Sequence, residues 1–126
     1  MNLLLVGLGG AFGAICRYLL GVQIGRRLGM DWPYGTLAAN LIGGLLMGLL
    51  VGVLAHRGGA DQERWRLLLG VGVLGGFTTF SAFSLETALM IERRTYAAAA
   101  SYSLISVVLS VTMLFLGLFL ARRLFA

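Results

Sequence analysis

Four long apolar runs, separated by short polar stretches, account for almost the whole chain: Leu3 to Val22, Tyr34 to Ala55, Leu67 to Leu89 and Tyr96 to Leu120. Each holds at least 20 residues. At about 1.5 Å per residue such a run reaches about 30 Å, the thickness of a bilayer's hydrocarbon core. The pattern therefore predicts an all-α membrane protein of four transmembrane helices. The polar breaks carry the punctuation of helix ends. Asp31-Trp32-Pro33 leads into the second run, with Pro33 where a first-turn proline is tolerated. Asp61 is placed to cap a helix that runs through Gln62-Glu63-Arg64 into the third, and Thr95 to cap the fourth. Trp32, Tyr34, Trp65 and Tyr96 fall at run ends, where amphipathic rings favour the membrane interface. The first run has no basic residues before it and is too long for the apolar core of a cleaved signal peptide, so it is expected to be a retained helix. With no linker, repeat or low-complexity tract, residues 1–126 are expected to form a single four-helix subunit.

Composition sharpens this picture. Hydrophobic residues make up 59% and charged residues 12%, with a mean hydropathy of +0.91; soluble domains carry about 25% charged residues. Glycine is abundant at 19 residues, and Gly9/Gly13 and Gly44/Gly48/Gly52 recur at a spacing of four. Apolar side chains gain little by exchanging lipid tails for protein, so faces of small residues that let backbones approach take over as the adhesive. So many glycines imply tight helix packing on several faces and a dimer or higher assembly.

The charge is distributed as interface anchors. All ten basic residues are arginine, and pairs lie at the ends of apolar runs: Arg26-Arg27, Arg93-Arg94 and Arg122-Arg123. A nucleic-acid partner needs basic residues gathered on one face, which this pattern excludes. With four spans, one side of the membrane holds Arg57, Arg64, Arg66, Arg122 and Arg123, and the other Arg26, Arg27, Arg93 and Arg94, with Arg17 inside the adjoining helix. Five against four, or five against five with Arg17, leaves the positive-inside rule nothing with which to choose an orientation. Insertion in both orientations is the expectation; weak cues or an insertion factor that fix one topology are the alternative.

The third run carries the least ordinary sequence, Leu74-Gly75-Gly76-Phe77-Thr78-Thr79-Phe80-Ser81-Ala82-Phe83-Ser84. Glycine and β-branched residues weaken a helix, and carbonyls freed at a break in a membrane helix commonly hold a cation. Two readings stay open for Gly75–Thr79: a helix broken near its middle with a cation site, or a kink satisfied by Ser and Thr side chains. Phe80 and Phe83, three apart, share a helical face, and aromatic edges are electropositive enough to hold a small anion loosely; a lipid-facing or core pair is the plainer alternative. Asn40, mid-span in the second run, either bonds another helix or offers its NH₂ group to an anion. Tyr102, Ser106 and Ser110 form one stripe of hydroxyls at a spacing of four, off which Ser103 and Thr112 lie. Arg17 either draws anions towards a vestibule or snorkels to the headgroups. Glu86 and His56 are expected at the interface, and Cys16 as a small apolar helix residue. One histidine, five acids and no nucleophile–base pair or metal-spaced cluster give enzyme chemistry little to work with.

At these residues the chain resembles the CrcB/Fluc family of fluoride channels. The resemblance is carried by Gly9-Gly10-Ala11-Phe12-Gly13-Ala14-Ile15-Cys16-Arg17-Tyr18, by Gly35-Thr36-Leu37-Ala38-Ala39-Asn40-Leu41-Ile42-Gly43, and most specifically by Gly75 to Ser84, with Ala82 a departure where the family often has a hydroxyl. It implies an antiparallel, dual-topology homodimer in the bacterial inner (plasma) membrane, with two fluoride pores and lipid as its surroundings. It also implies that Asn40, Phe80 and Phe83 line the pore, that Ser81 and the Tyr102–Ser106–Ser110 stripe form a polar track, that Arg17 stands near the pore mouth, and that the carbonyls of Gly75 and Thr78 hold a structural Na⁺ at the dimer interface. A small proton-coupled drug antiporter, also four helices and often dual in topology, is the competing class; such proteins carry an acid in the first helix, and Leu3–Val22 contains none. A structural membrane protein without transport is opposed by the hydroxyl stripe.

The arginine balance generates the first prediction. Cysteine tags at either terminus, probed on intact cells with a membrane-impermeant thiol reagent, are expected to label about half the molecules. Labelling of all or none would show that something other than charge balance fixes the topology.

Overall fold

The computed structural model describes residues 2–29, 32–57 and 62–125. Asp31 and Asp61, read above at helix starts, and the side chain of His56 lie outside the described residues. The described chain is all helical, and four stretches are long and apolar enough to cross a membrane: Asn2–Leu28, Tyr34–Ala55, Gln62–Glu92 and Tyr96–Leu124. The elements are α1 (Asn2–Leu28), α2 (Tyr34–Arg57), α3 (Gln62–Trp65), a π-helical stretch (Arg66–Leu74), α4 (Gly75–Phe77), α5 (Ser81–Glu92) and α6 (Tyr96–Phe125).

The helices outrun the apolar runs that predict them. α1 continues six residues past Val22, and α6 five past Leu120. Once a helix has nucleated, each further residue adds a hydrogen bond, and arginine is a good helix former. The arginine pairs Arg26-Arg27 and Arg122-Arg123 occupy the last turns, where their charge opposes the carbonyl end of the helix dipole. α1 stops at Gly29, whose φ of 85° and N–H bond to the Gly25 carbonyl (3.0 Å) form a left-handed cap.

Thr95 departs from its expected role. Arg94 takes a left-handed φ of 62°, which turns the chain so that the Thr95 N–H (2.9 Å) and hydroxyl (2.8 Å) both donate to the Met90 carbonyl. The hydroxyl thus closes the end of α5 instead of capping α6, and only the Thr95 carbonyl, accepting from Ala99 N–H at 3.0 Å, serves the following helix.

Two glycine seams pack the spans in pairs. α1 lies along the π-helical stretch and α4, and α2 lies along α6. A Cβ added at Gly9 would sit 2.5 Å from the Leu68 carbonyl oxygen, and one at Gly13 would be 2.8 Å from the Phe77 nitrogen and closer still to the Val73 carbonyl. On the other seam, a Cβ at Gly44 would come within 2.7 Å of the Ser110 carbonyl, and one at Gly48 would meet the Leu114 carbonyl. No side chain fits at these crossings, so backbone rests on backbone. Within the π-helical stretch the Gly75 N–H reaches back to the Gly70 carbonyl, and Gly72 sits against Gly9 of α1.

Helical bonding lapses at Thr78. Its ψ of 160° is extended, and Thr78, Thr79 and Phe80 lie outside helix before Ser81 opens α5. Gly43 of α2 leaves room for the Thr78 methyl group, which a Cβ at that position would overlap.

The seams predict a contrast. Gly48→Val and Gly13→Val are expected to cost about 1–3 kcal/mol or more through overpacking against backbone that cannot move aside. Gly7→Ala, where nothing lies within 4 Å, is expected to be neutral. Thermal unfolding in detergent, followed by size-exclusion chromatography, distinguishes them; equal melting of Gly48→Val and Gly7→Ala would overturn the packing account.

Candidate functional site

The lapse at residues 78–80 is stitched to α2 by one side chain. Asn40 Nδ2 donates to the Thr79 carbonyl (3.2 Å), and the Thr79 N–H donates to Asn40 Oδ1 (3.1 Å). A single carboxamide therefore satisfies both backbone groups of a non-helical residue at membrane depth, where each would cost several kcal/mol if left bare. The Thr79 hydroxyl accepts the Ala82 N–H at 3.1 Å and lies 3.2 Å from the Ser81 hydroxyl. Thr78 turns its own hydroxyl back to the Leu74 carbonyl at 3.0 Å, the same acceptor that its N–H uses.

In a continuous α-helix the carbonyl of residue i takes the N–H of residue i+4. Gly75 would take it from Thr79 and Thr78 from Ala82. Both donors go elsewhere, to Asn40 Oδ1 and to Thr79 Oγ1. The Gly75 and Thr78 carbonyls are thus released from the helical ladder.

Beside the stitch runs a groove of about 430 Å³, open along one side. Asn40, Phe80, Phe83, Ser106 and Ser110 line it together with Thr78 and Thr79, with Gly43, Gly44 and Met47 forming part of its wall. The Phe80 and Phe83 ring centroids are 5.6 Å apart at 46°. Phe80 stands immediately before α5 and is 77% exposed, whereas Phe83 is half-buried. Ser106 is 5% exposed, and its hydroxyl oxygen, buried at the groove wall, has no hydrogen-bond partner among the described residues.

A second hollow, of about 840 Å³, opens between the ends of α1, α2 and α5. Arg17, Arg26 and Arg93 line it along with Trp32, Thr36 and Glu86. Tyr102 lies between the two hollows and is fully buried; its ring is 5.1 Å from Phe83 and 5.2 Å from Trp32.

The sequence-predicted residues therefore divide into groups. Asn40, Phe80, Phe83, Ser106 and Ser110 share the groove, and Arg17 lines the other hollow. Tyr102 lies beneath aromatic rings and donates to Glu86 Oε1 at 3.4 Å. Ser81 is exposed and faces the Thr79 hydroxyl instead of the groove. Gly75 is exposed in α4, just before the lapse. Of the residues off the stripe, Thr112 back-bonds to the Val108 carbonyl at 2.6 Å, as membrane hydroxyls commonly do.

Three residues escaped sequence reasoning. Thr79 belongs to a Thr-Thr pair whose members look alike in sequence, and only the backbone turn tells them apart. Thr36 is buried at 9% exposure near the start of α2. Glu86, expected at the interface, lines the hollow at the helix ends and accepts from Tyr102, a pairing that its position as the only acid between Leu67 and Leu89 does not reveal.

Comparisons with known proteins agree with this architecture. Residues 4–118 match the model of the family described as "CrcB-like protein, Camphor Resistance (CrcB)". A protein of Phenylobacterium zucineum (strain HLK1) named "Fluoride-specific ion channel FluC" is 73% identical over 98% of both chains. Proteins of the same name from Caulobacter sp. (strain K31) and Caulobacter vibrioides (strain NA1000 / CB15N) are 66% and 59% identical, each over 99% of this chain and 98% of their own. With a family match over nearly its full length and relatives this similar, the chain belongs to the CrcB-like family of multi-pass membrane proteins.

Proposed function

We propose that this chain is the subunit of a passive, fluoride-selective channel that exports fluoride across the bacterial inner membrane and confers fluoride resistance. Its working form is an antiparallel, dual-topology homodimer with two pores. The relatives named as fluoride-specific channels support the ion. The observation that carries the site is the groove, where neutral hydrogen-bond donors and aromatic rings converge with no fixed cation among the lining residues.

Fluoride is small and strongly hydrated, so a pore must return hydrogen bonds as water leaves. Asn40 Nδ2 has two hydrogens and spends one on Thr79, leaving the other for the groove. Among the described residues the buried Ser106 hydroxyl has no partner, which leaves its hydrogen for an ion at the groove wall. Ser110 adds a second hydroxyl one turn further along α6. The rings of Phe80 and Phe83 offer electropositive edges, whose weak attraction lets an ion leave as readily as it enters. Arg17, in the other hollow, raises the local anion concentration without trapping the ion mid-pore. Tyr102, buried and bonded to Glu86, and Ser81, turned to the Thr79 hydroxyl, stand outside the groove lining, so Asn40, Ser106 and Ser110 carry the polar track in this reading. Flow is passive and follows the membrane potential, which in a cell with a negative interior drives an anion outward.

The exposure of Phe80 supports a partner subunit, since it leaves the ring at the groove's open side. The near-even arginine balance supports opposed orientations. The residues at the lapse also fit a sodium ion at the subunit interface: the Gly75 and Thr78 carbonyls have lost their helical donors and are hard oxygen ligands of the kind an alkali cation takes. When bound there, sodium would supply positive charge against converging carbonyl dipoles. Asn40 and Thr79 keep those carbonyls free.

Anion efflux from proteoliposomes with valinomycin tests the whole proposal. The wild type is expected to release fluoride rapidly and to retain chloride; equal passage of chloride would overturn the functional reading. Phe80→Ile and Asn40→Asp are expected to be strongly impaired yet dimeric, and normal conduction by both would overturn the residue assignments. Removal of the unpartnered hydroxyl by Ser106→Ala is expected to slow efflux about tenfold, the scale of one hydrogen bond to a charged group.

A further inference from the structure

We propose that Thr79 is a positioning residue for the cation site, holding the Gly75 and Thr78 carbonyls out of the helical ladder. The inference rests on the reading of those two carbonyls as the sodium ligands. Thr79 is not itself a ligand in this account; it acts through the backbone on either side of it.

Each carbonyl is freed by a separate bond, and Thr79 takes part in both. The donor that Gly75 would use is the Thr79 N–H, and Asn40 Oδ1 draws it away at 3.1 Å. The donor that Thr78 would use is the Ala82 N–H, and the Thr79 hydroxyl oxygen captures it at 3.1 Å. That second bond is of the capping kind, a hydroxyl accepting from the N–H three residues on, and it opens α5 without any help from the Thr78 carbonyl. The Asn40 Nδ2 bond to the Thr79 carbonyl fixes the same residue from the far side. With the hydroxyl gone, the acceptor that helical geometry offers the Ala82 N–H is the Thr78 carbonyl, and an unsatisfied donor in a membrane is costly enough to rotate that carbonyl back. The carbonyl would then be shared between the helix and the ion.

Thr79→Val keeps the shape and removes the oxygen, whereas Thr79→Ser keeps the oxygen and removes the methyl group. The readout is thermal stability of the purified protein in detergent across a sodium titration, with N-methylglucamine holding ionic strength constant. For Thr79→Val the sodium midpoint is expected to rise about tenfold, the scale of one lost hydrogen bond. Thr79→Ser is expected to stay close to the wild type. A role confined to folding would lower the melting temperature of Thr79→Val equally at every sodium concentration and leave the midpoint in place, and that result would overturn the proposal. A wild type that does not respond to sodium would overturn the cation reading itself. If Thr79→Val yields no folded protein in ordinary buffer, it is purified in raised sodium: recovery there supports a weakened site by mass action, and failure at every concentration with a normal Thr79→Ser overturns it.

Discussion

A backbone at membrane depth has no water to bond, so every N–H and C=O that leaves a helix must find a partner in protein. Most of this chain meets that constraint with unbroken helix. Thr78, Thr79 and Phe80 do not, and the Asn40 carboxamide answers for the central residue by bonding both of its backbone groups. Asn40 is suited to this because an amide carries donor and acceptor on one planar group. An aspartate would offer only acceptors, and a leucine nothing. The turn and the released Gly75 carbonyl therefore depend on one side chain projected from α2, and the released Thr78 carbonyl on the hydroxyl of the residue that side chain holds.

That side chain is in range because of the glycine seams. Gly43 admits the Thr78 methyl group, which brings α2 against the lapse. Gly44 and Gly48 let α2 lie on the backbone of α6, which brings Ser106 and Ser110 to the same groove. Gly9 and Gly13 hold α1 against the stretch that precedes the lapse. A larger residue at any of these positions would widen a crossing, and the polar groups gathered at the groove would separate. Tight packing and site assembly are consequences of the same residues.

The features legible in the sequence are those that depend on composition and period. Four spans follow from apolar length, and the seams from glycine spacing at Gly9/Gly13 and Gly44/Gly48/Gly52, because neither needs knowledge of which helix faces which. Helix ends were less legible: α1 and α6 run past their apolar limits because arginine sustains a helix as well as leucine does. Thr95 stands between the carbonyl end of α5 and the N–H end of α6, and the left-handed Arg94, which no sequence pattern announces, turns its hydroxyl to the first. The sequence reading left Asn40 divided between an interhelical bond and an anion donor. Its bond to Thr79 joins residues 39 apart, a pairing that no local pattern encodes.

The groove bears on the form in which the protein works. Its lining includes the amide of Asn40 and the hydroxyls of Ser106 and Ser110, yet one side is open. Hydrocarbon on that side would leave the Ser106 hydroxyl and the spare Asn40 hydrogen without partners, at a cost that membrane proteins avoid. Water alone would need a polar boundary to contain it, and the exposed Phe80 ring beside the opening is not one. A protein surface that closes the groove, covers Phe80 and still leaves room for a partly dehydrated ion meets all three demands. On the proposed reading a second copy in the opposite orientation is that surface, and it places the released carbonyls of both subunits at the shared interface.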